Sequence, residues 1–231
     1  MQGPIEYLPG AEPAPMGWQD VRRAISPLRM VFWGGLLCVF DLTFSEVHGR
    51  EGFRFDILND AVGMLLIAVG AFKLAGIRVH DRYAGTMTFI RIIAVLGVLD
   101  AVQEHVIAPR PQVVGFVLAV LALAMMVATV LFCVCMRWFC EEARLPDAAR
   151  SWRTTAILFG VIYLVPLGLF YLAAAGAILT GSSFHINLGP FGLLLLPVFA
   201  VPIVHLFIST SRMKRAAEGA VPAPPPEAGW R

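Results

Sequence analysis

The sequence predicts an all-α polytopic membrane protein, a bundle of six transmembrane helices. The chain has 231 residues, of which 58% are hydrophobic and only 15% are charged, and its mean hydropathy is +0.74. Soluble domains carry roughly 25% charged and about 45–50% apolar residues, so this composition excludes a water-soluble globular fold. At about 20 apolar residues per crossing, the chain has room for six spans and for no sizeable soluble domain.

Six apolar segments carry this prediction. The predicted helices cover residues 30–45, 56–79, 86–107, 113–136, 154–179 and 188–210. The fourth contains no charged residue and is the clearest span. Residues 1–28 form a Pro-rich N-terminal segment, in which residues 18–25 are expected to make a short interfacial helix. Residues 211–231 are expected to be a disordered tail, because four prolines lie between positions 222 and 226.

Arginine placement predicts the orientation of the bundle. Basic residues precede the first helix and follow the second, fourth and sixth helices, whereas the alternate connections contain only Arg50, Arg54 and Arg110. Cytoplasmic loops carry the excess of basic residues. Both termini, with the Pro-rich segment and the tail, are therefore expected to be cytoplasmic.

The amino-acid composition indicates the source of the chain and therefore the membrane in which it lies. Among the 18 basic residues only Lys73 and Lys214 are lysines, and alanine is abundant, a combination typical of GC-rich bacterial genomes. We therefore expect a multi-pass protein of the bacterial cytoplasmic (inner) membrane, with the lipid bilayer as its main partner. No run of basic residues indicates nucleic-acid binding.

The first three predicted helices contain nearly all the ionisable residues within spans. The candidate proton- or cation-binding residues are Asp41, Asp56, Asp60, Asp100, Glu104 and His105. With both termini inside, all six lie in the extracytoplasmic half, and their three- and four-residue spacings place them on shared helix faces. Because ionised carboxylates within a membrane normally face the protein interior, the pattern predicts an outward-facing polar pocket that binds or conducts protons or cations.

Three alternatives remain open for this cluster. In the first, Arg50 and Arg54 neutralise Asp56, Asp60 or Glu104 and the cluster is purely structural. In the second, the chain is a metal-dependent membrane enzyme, in which outer-side histidines and carboxylates hold zinc or manganese. The weak metal-ligand candidates are His48, His105 and His185. In the third, the chain is a homo-oligomer or a structural subunit of a larger membrane complex, docked through helices 4 to 6.

Other chemistry finds little support in the sequence. Phosphate-binding glycine loops and G-x-S-x-G elbows are absent, which argues against a hydrolase. No catalytic residue is assigned, no cofactor is predicted, and the leading prediction is non-enzymatic. The four cysteines are expected to be reduced and inert. His205 is expected to be a hydrogen-bonded packing residue, and Lys73 and Arg91 to reach the inner headgroups from near the helix ends.

The run FDILNDAVGMLLIAVGAFKL, residues 55–74, resembles a motif of small, functionally uncharacterised bacterial integral membrane proteins. In that group a helix opens with D-x3-D-x2-G and a further glycine follows about one heptad later; here these are Asp56, Asp60, Gly63 and Gly70. A carboxylate near the end of the preceding helix, here Asp41, is also similar. The resemblance covers about residues 36–106, and it departs at Asn59, where the group commonly has proline. The resemblance implies the membrane spans in this region and the start of the second helix. It implies no activity.

Overall fold

The computed structural model describes residues 16, 18–47, 56–103, 112–180 and 191–219, and all of its regular structure there is helical. The helices are α1 (Trp18–Val47), α2 (Asp56–Ala75), α3 (Asp81–Gln103), α4 (Gln112–Glu142), α5 (Pro146–Phe159), α6 (Val165–Thr180) and α7 (Phe191–Gly219). A single π-helical turn, Gly160–Leu164, joins α5 to α6 without a break. The described part of the chain therefore forms six continuous helices, and the predicted all-α class is confirmed.

Three of these helices are long and apolar enough to cross a membrane: Asp81–Val102, Val114–Glu142 and Pro146–Ala174. Only 28%, 17% and 17% of their most apolar windows are buried. Large apolar side chains stand on the outside of the bundle, as shown by Leu99, Val161 and Leu172, which are 59%, 63% and 62% exposed. A continuous apolar exterior of this kind is unstable in water, and it is the surface of a membrane protein.

Helix α1 differs from the prediction for the N-terminal region. It begins at Trp18 and continues through Pro27, so the separate interfacial helix predicted for residues 18–25 is wrong, and the predicted boundary after residue 28 falls inside α1. A proline within a helix removes one backbone hydrogen bond. The helix continues because its inner stripe is packed: the buried residues are Val21, Ala24 and Leu28.

Helix α7 differs in the same way at its other end. It continues to Gly219, so residues 211–219 are helical and not part of a disordered tail, while residues 220–231 lie outside the described residues. Met213 and Ala217 on this extension are buried in the core. Hydropathy marks the apolar part of a helix, whereas Arg, Lys, Ala and Glu are good helix formers that extend it beyond the membrane.

The buried core lies at one end of the bundle, here called the turn end. It comprises the α2–α3 turn (residues 76–80), the α4–α5 turn (residues 143–145), the start of α1 and the end of α7. Trp152, Tyr83 and Phe139 are the largest fully buried side chains, and the Trp152 ring meets Phe132 edge-on, with centroids 6.2 Å apart. The opposite end of the bundle is called the far end.

Specific hydrogen bonds stabilise both turns. In the first, the Tyr83 N–H donates to Nδ1 of His80 (3.1 Å), which caps α3, and the Tyr83 hydroxyl donates to the carbonyl of Leu74 (3.0 Å). In the second, Arg144 adopts a left-handed φ of 54°, and the Leu145 N–H donates to the carbonyl of Cys140 (2.8 Å). This arrangement is a Schellman motif, which ends a helix by satisfying its last carbonyls.

The π-helical turn lies directly before Pro166. Because proline has no N–H, the carbonyl four residues before it loses its α-helical donor. In the turn, hydrogen bonds reach one residue further, as from the Val165 N–H to the carbonyl of Gly160, so the backbone groups find partners within a continuous helix. A backbone in lipid requires such internal partners.

Glycines bring α1 and α2 into direct backbone contact. A Cβ added at Gly63 would lie 2.7 Å from the carbonyl oxygen of Gly34, and one at Gly70 would lie 2.7 Å from that of Pro27. Small residues allow this approach where lipid supplies no hydrophobic drive for association. The two glycines of the D-x3-D-x2-G run and its continuation, Gly63 and Gly70, therefore pack against α1.

We expect Gly70→Ala to destabilise the protein by about 1–3 kcal/mol, because the new methyl group overlaps backbone that cannot rotate away. Thermal unfolding of the detergent-purified chain measures the change. Gly35→Ala is the matched control, since Gly35 lies in α1 with nothing within 4 Å of an added Cβ. The control is expected to be neutral or to gain up to about 1 kcal/mol from helix propensity. Equal stability of the two variants would contradict close α1–α2 packing.

Candidate functional site

Asp60 and Asp100 lie on adjacent antiparallel helices at the same level of the far end. The Met64 side chain of α2 packs directly against Gly97 of α3, which fixes the register of the two helices. Asp60 is four residues before Met64, and Asp100 is three residues after Gly97. Each carboxylate therefore lies one helical turn beyond this contact, in the same direction. Both side chains are half-buried.

The other predicted members of the cluster are placed less fully. Asp41 lies on α1 and Asp56 is the first residue of α2, so both belong to helix segments at the far end. Glu104, His105, His48 and His185 lie outside the described residues, as do Arg50 and Arg54. The pairing of the carboxylates with these arginines and the metal site on the outer histidines stay predictions.

Helix α1 reaches the carboxylate region through Cys38. Its thiol lies 4.0 Å from the carbonyl oxygen of Asp60, and a Cβ added at Gly63 would be 2.6 Å from the same sulfur. Helices α1, α2 and α3 are thus packed together around the level of Asp60. A polar cluster on these three helices is compatible with this packing.

Within the described ranges, no group of three or more His, Cys, Asp or Glu side chains could hold a metal ion. Cys133, Cys135 and Cys140 are all fully buried at the turn end of α4 and are not disulfide-bonded. They pack in the hydrophobic core beside Phe139 and Tyr83. Their environment is that of apolar packing residues.

Arg91 lies on α3, ten residues after the helix begins at Asp81. The prediction that it sits near a helix end is wrong, because α3 begins at Asp81 and Arg91 falls near its middle. Its guanidinium lies 5.2 Å from the Phe72 ring centroid, and Nη2 donates to the Thr88 hydroxyl (3.2 Å). Cation–π and hydrogen-bond contacts of this kind compensate a charge at membrane depth.

A second polar cluster joins α5 to α7 inside the core. Thr155 is fully buried, and its hydroxyl oxygen lies 2.9 Å from Nδ1 of His205 and 2.8 Å from the Ser209 hydroxyl. The same hydroxyl donates to the carbonyl of Ser151 (3.0 Å), and the Ser151 and Ser209 hydroxyls lie 2.8 Å apart. His205 is therefore hydrogen-bonded, as predicted for a packing residue.

Helix α7 is linked to the preceding helix again nearer the far end. The Tyr163 hydroxyl, on the π-helical turn, donates to the carbonyl oxygen of Phe199 (2.6 Å). Phe199 lies between Pro197 and Pro202 of α7, where the missing proline N–H groups interrupt the hydrogen bonds within the helix. The bond from Tyr163 therefore links α7 to the preceding helix between its two prolines, and interhelical hydrogen bonds of this kind stabilise membrane bundles.

Sequence reasoning did not select Ser151, Thr155 or Ser209. The available signal was their spacing: Ser151 and Thr155 are four residues apart, as are His205 and Ser209, which places each pair on one helix face. Two such pairs, one on each helix, indicate matched polar stripes. The pairing between α5 and α7 needs the fold, because no sequence pattern shows which helices are neighbours.

Comparison of the chain with protein-family models, with curated proteins and with solved structures gives no match. The site is therefore interpreted from its own chemistry. Two arrangements stand out: the aligned carboxylates of α2 and α3, which can hold a proton or a cation, and the hydroxyl–imidazole network of α5 and α7, whose groups satisfy one another.

We expect Thr155→Val to destabilise the protein by about 1–3 kcal/mol, because the Ser209 hydroxyl and the His205 imidazole each lose their hydrogen bond to Thr155. Thr154→Val is the matched control: its neighbouring hydroxyl is exposed and bonds only within its own helix, to the carbonyl of Arg150 (3.2 Å). Thermal unfolding in detergent compares the two. An equal loss of stability in both variants would contradict a structural role for the network.

Proposed function

We propose that the chain is a six-span protein of a bacterial inner membrane, with both termini and the turn end in the cytoplasm. The distribution of charge supports this orientation. Apart from Arg91, the Arg and Lys residues of the described ranges lie toward the turn end, where α1 begins, α7 ends and both described turns lie. Positive charge is retained on the cytoplasmic side.

Accessible single cysteines test this orientation. In intact spheroplasts, Arg144→Cys in the α4–α5 turn is expected to resist a membrane-impermeant maleimide and to react after permeabilisation. Ser183→Cys, in the connection predicted to face outward, is expected to react in both states. The native Cys133, Cys135 and Cys140 are fully buried and add little background, and the half-buried Cys38 is replaced by alanine in both variants. The reverse labelling pattern would invert the proposed topology.

We propose further that the protein is non-enzymatic and that helices α1 to α3 form an outward-facing pocket that binds protons or cations. The register of α2 against α3 is the single observation that carries this function. The Met64–Gly97 contact sets Asp60 and Asp100 at one level on neighbouring helices, where both are half-buried.

The chemistry follows from this placement. Two carboxylates at one level of a poorly solvated bundle repel each other when both are ionised. A shared proton or a bound cation removes that repulsion and satisfies the oxygens together. Asp41, Asp56, Glu104 and His105 would extend the same pocket.

The double variant Asp60→Asn/Asp100→Asn tests the function. Because a ligand of the folded state raises its stability, we expect lower pH, or sodium or calcium chloride in place of choline chloride, to raise the wild-type Tm by roughly 5 °C. The double variant is expected to lose this response. Asp81→Asn/Asp147→Asn, with two exposed carboxylates removed at the turn end, is expected to keep it.

Two results would overturn the proposal. If Tm rises by the same amount in the two double variants, the rise is caused by charges other than those of Asp60 and Asp100. Near-stoichiometric zinc, manganese or iron in the purified protein, measured by elemental mass spectrometry and lost on His105→Ala, would replace the proton or cation pocket with a metal centre.

A further inference from the structure

A groove between α1 and α7 at the turn end has an amphipathic lining. Its volume is about 510 Å³, within the range of roughly 300–1,000 Å³ typical of small-molecule sites. Three cations line it, Arg22 and Arg29 from α1 and Lys214 from α7. The apolar part of the lining includes Met30, Trp33 and Leu66.

The lining changes from basic to apolar along the helix axis. Arg22 is eleven residues before Trp33 on α1, a distance of about 16 Å at 1.5 Å per residue. The Phe32 and Phe207 rings, 5.5 Å apart, set the level of α7 against α1. Lys214, seven residues after Phe207, therefore lies at a level between Arg22 and Arg29, whereas Trp33 lies about one helical turn deeper than Arg29, toward the middle of the bundle.

The charge of the groove favours an anion. Glu218 is the only carboxylate in its described lining, and it forms an ion pair with Lys214 at 3.6 Å. Ser26 adds a hydroxyl on the same face of α1. With three cations against one carboxylate, the lining keeps a net positive charge, and guanidinium groups bind phosphate oxygens in bidentate geometry.

We propose that this groove binds one anionic phospholipid, with its phosphate between Arg22, Arg29 and Lys214 and its acyl chains along Met30, Trp33 and Leu66. The inference rests on the orientation proposed above, which puts the turn end at the level of the cytoplasmic headgroups. Basic pockets between helices on that side suit anionic headgroups. A free phosphate would use the basic part of the lining alone, whereas a lipid uses both parts.

Lipid-dependent stability of the full chain tests the proposal. In maltoside detergent, added phosphatidylglycerol is expected to raise Tm by about 5 °C at saturation, and phosphatidylcholine to have little effect. Native mass spectrometry is expected to show one tightly retained phosphatidylglycerol per chain. Glycerol 3-phosphate at the same concentration is expected to leave Tm unchanged, because it lacks acyl chains.

Matched charge variants locate the site. Arg29→Gln/Lys214→Gln is expected to weaken phosphatidylglycerol binding roughly tenfold or more, since each basic residue near anionic lipid contributes about 1 kcal/mol. Glu218→Gln is expected to strengthen binding. Arg82→Gln/Arg153→Gln removes two exposed cations at the same end but outside the groove, and it is expected to bind as the wild type does.

Three outcomes would overturn the proposal, provided that each variant elutes as the wild type does in size exclusion. Equal weakening in both double variants would indicate attraction by general surface charge. An equal Tm shift with glycerol 3-phosphate would indicate a phosphate site that does not recognise lipid. An unchanged affinity in Arg29→Gln/Lys214→Gln would exclude the groove. None of these results bears on Asp60 and Asp100, which lie at the far end.

Discussion

The backbone contact between α1 and α2 is the interaction on which both proposed sites depend. Gly34, Gly63 and Gly70 allow the helices to touch without intervening side chains, and this contact fixes the position of each helix along the other. The Met64–Gly97 contact sets Asp60 of α2 at the level of Asp100, and α1 supplies one wall of the groove at the turn end. Where lipid surrounds the helices, such van der Waals packing replaces the hydrophobic effect as the drive for association.

Among the described residues, the two proposed sites lie at opposite ends of the bundle and differ in charge. Basic residues are concentrated at the turn end, the acidic pair Asp60 and Asp100 lies at the far end, and apolar side chains cover the helices between them. The turn end also contains the packed core around Trp152. The packed turn end and the carboxylate-bearing far end are therefore parts of one bundle, and the ligands proposed for the two ends have opposite charge.

Polar contacts supplement the apolar packing of helix α7 against the bundle. Thr155, Ser151 and Tyr163 provide hydrogen bonds to Ser209, His205 and the carbonyl of Phe199. A helix with two internal prolines gains most from such bonds, because each proline removes an intrahelical donor. In the preceding helix, Pro166 also lacks an N–H donor. There the π-helical turn compensates, because its longer hydrogen bonds give the backbone groups partners within the helix.

The sequence by itself determined the all-helical class, the apolar exterior, the turn-end concentration of basic residues and the helix faces of the carboxylates, since these follow from composition and from the 3.6-residue period. It misplaced the ends of α1 and α7, because hydropathy does not register charged turns that packing keeps helical. Only the tertiary structure decided which helices are neighbours and in what register. The alignment of Asp60 with Asp100, the Thr155–His205 network and the groove between α1 and α7 all arise from contacts between residues distant in the chain, which no local pattern encodes.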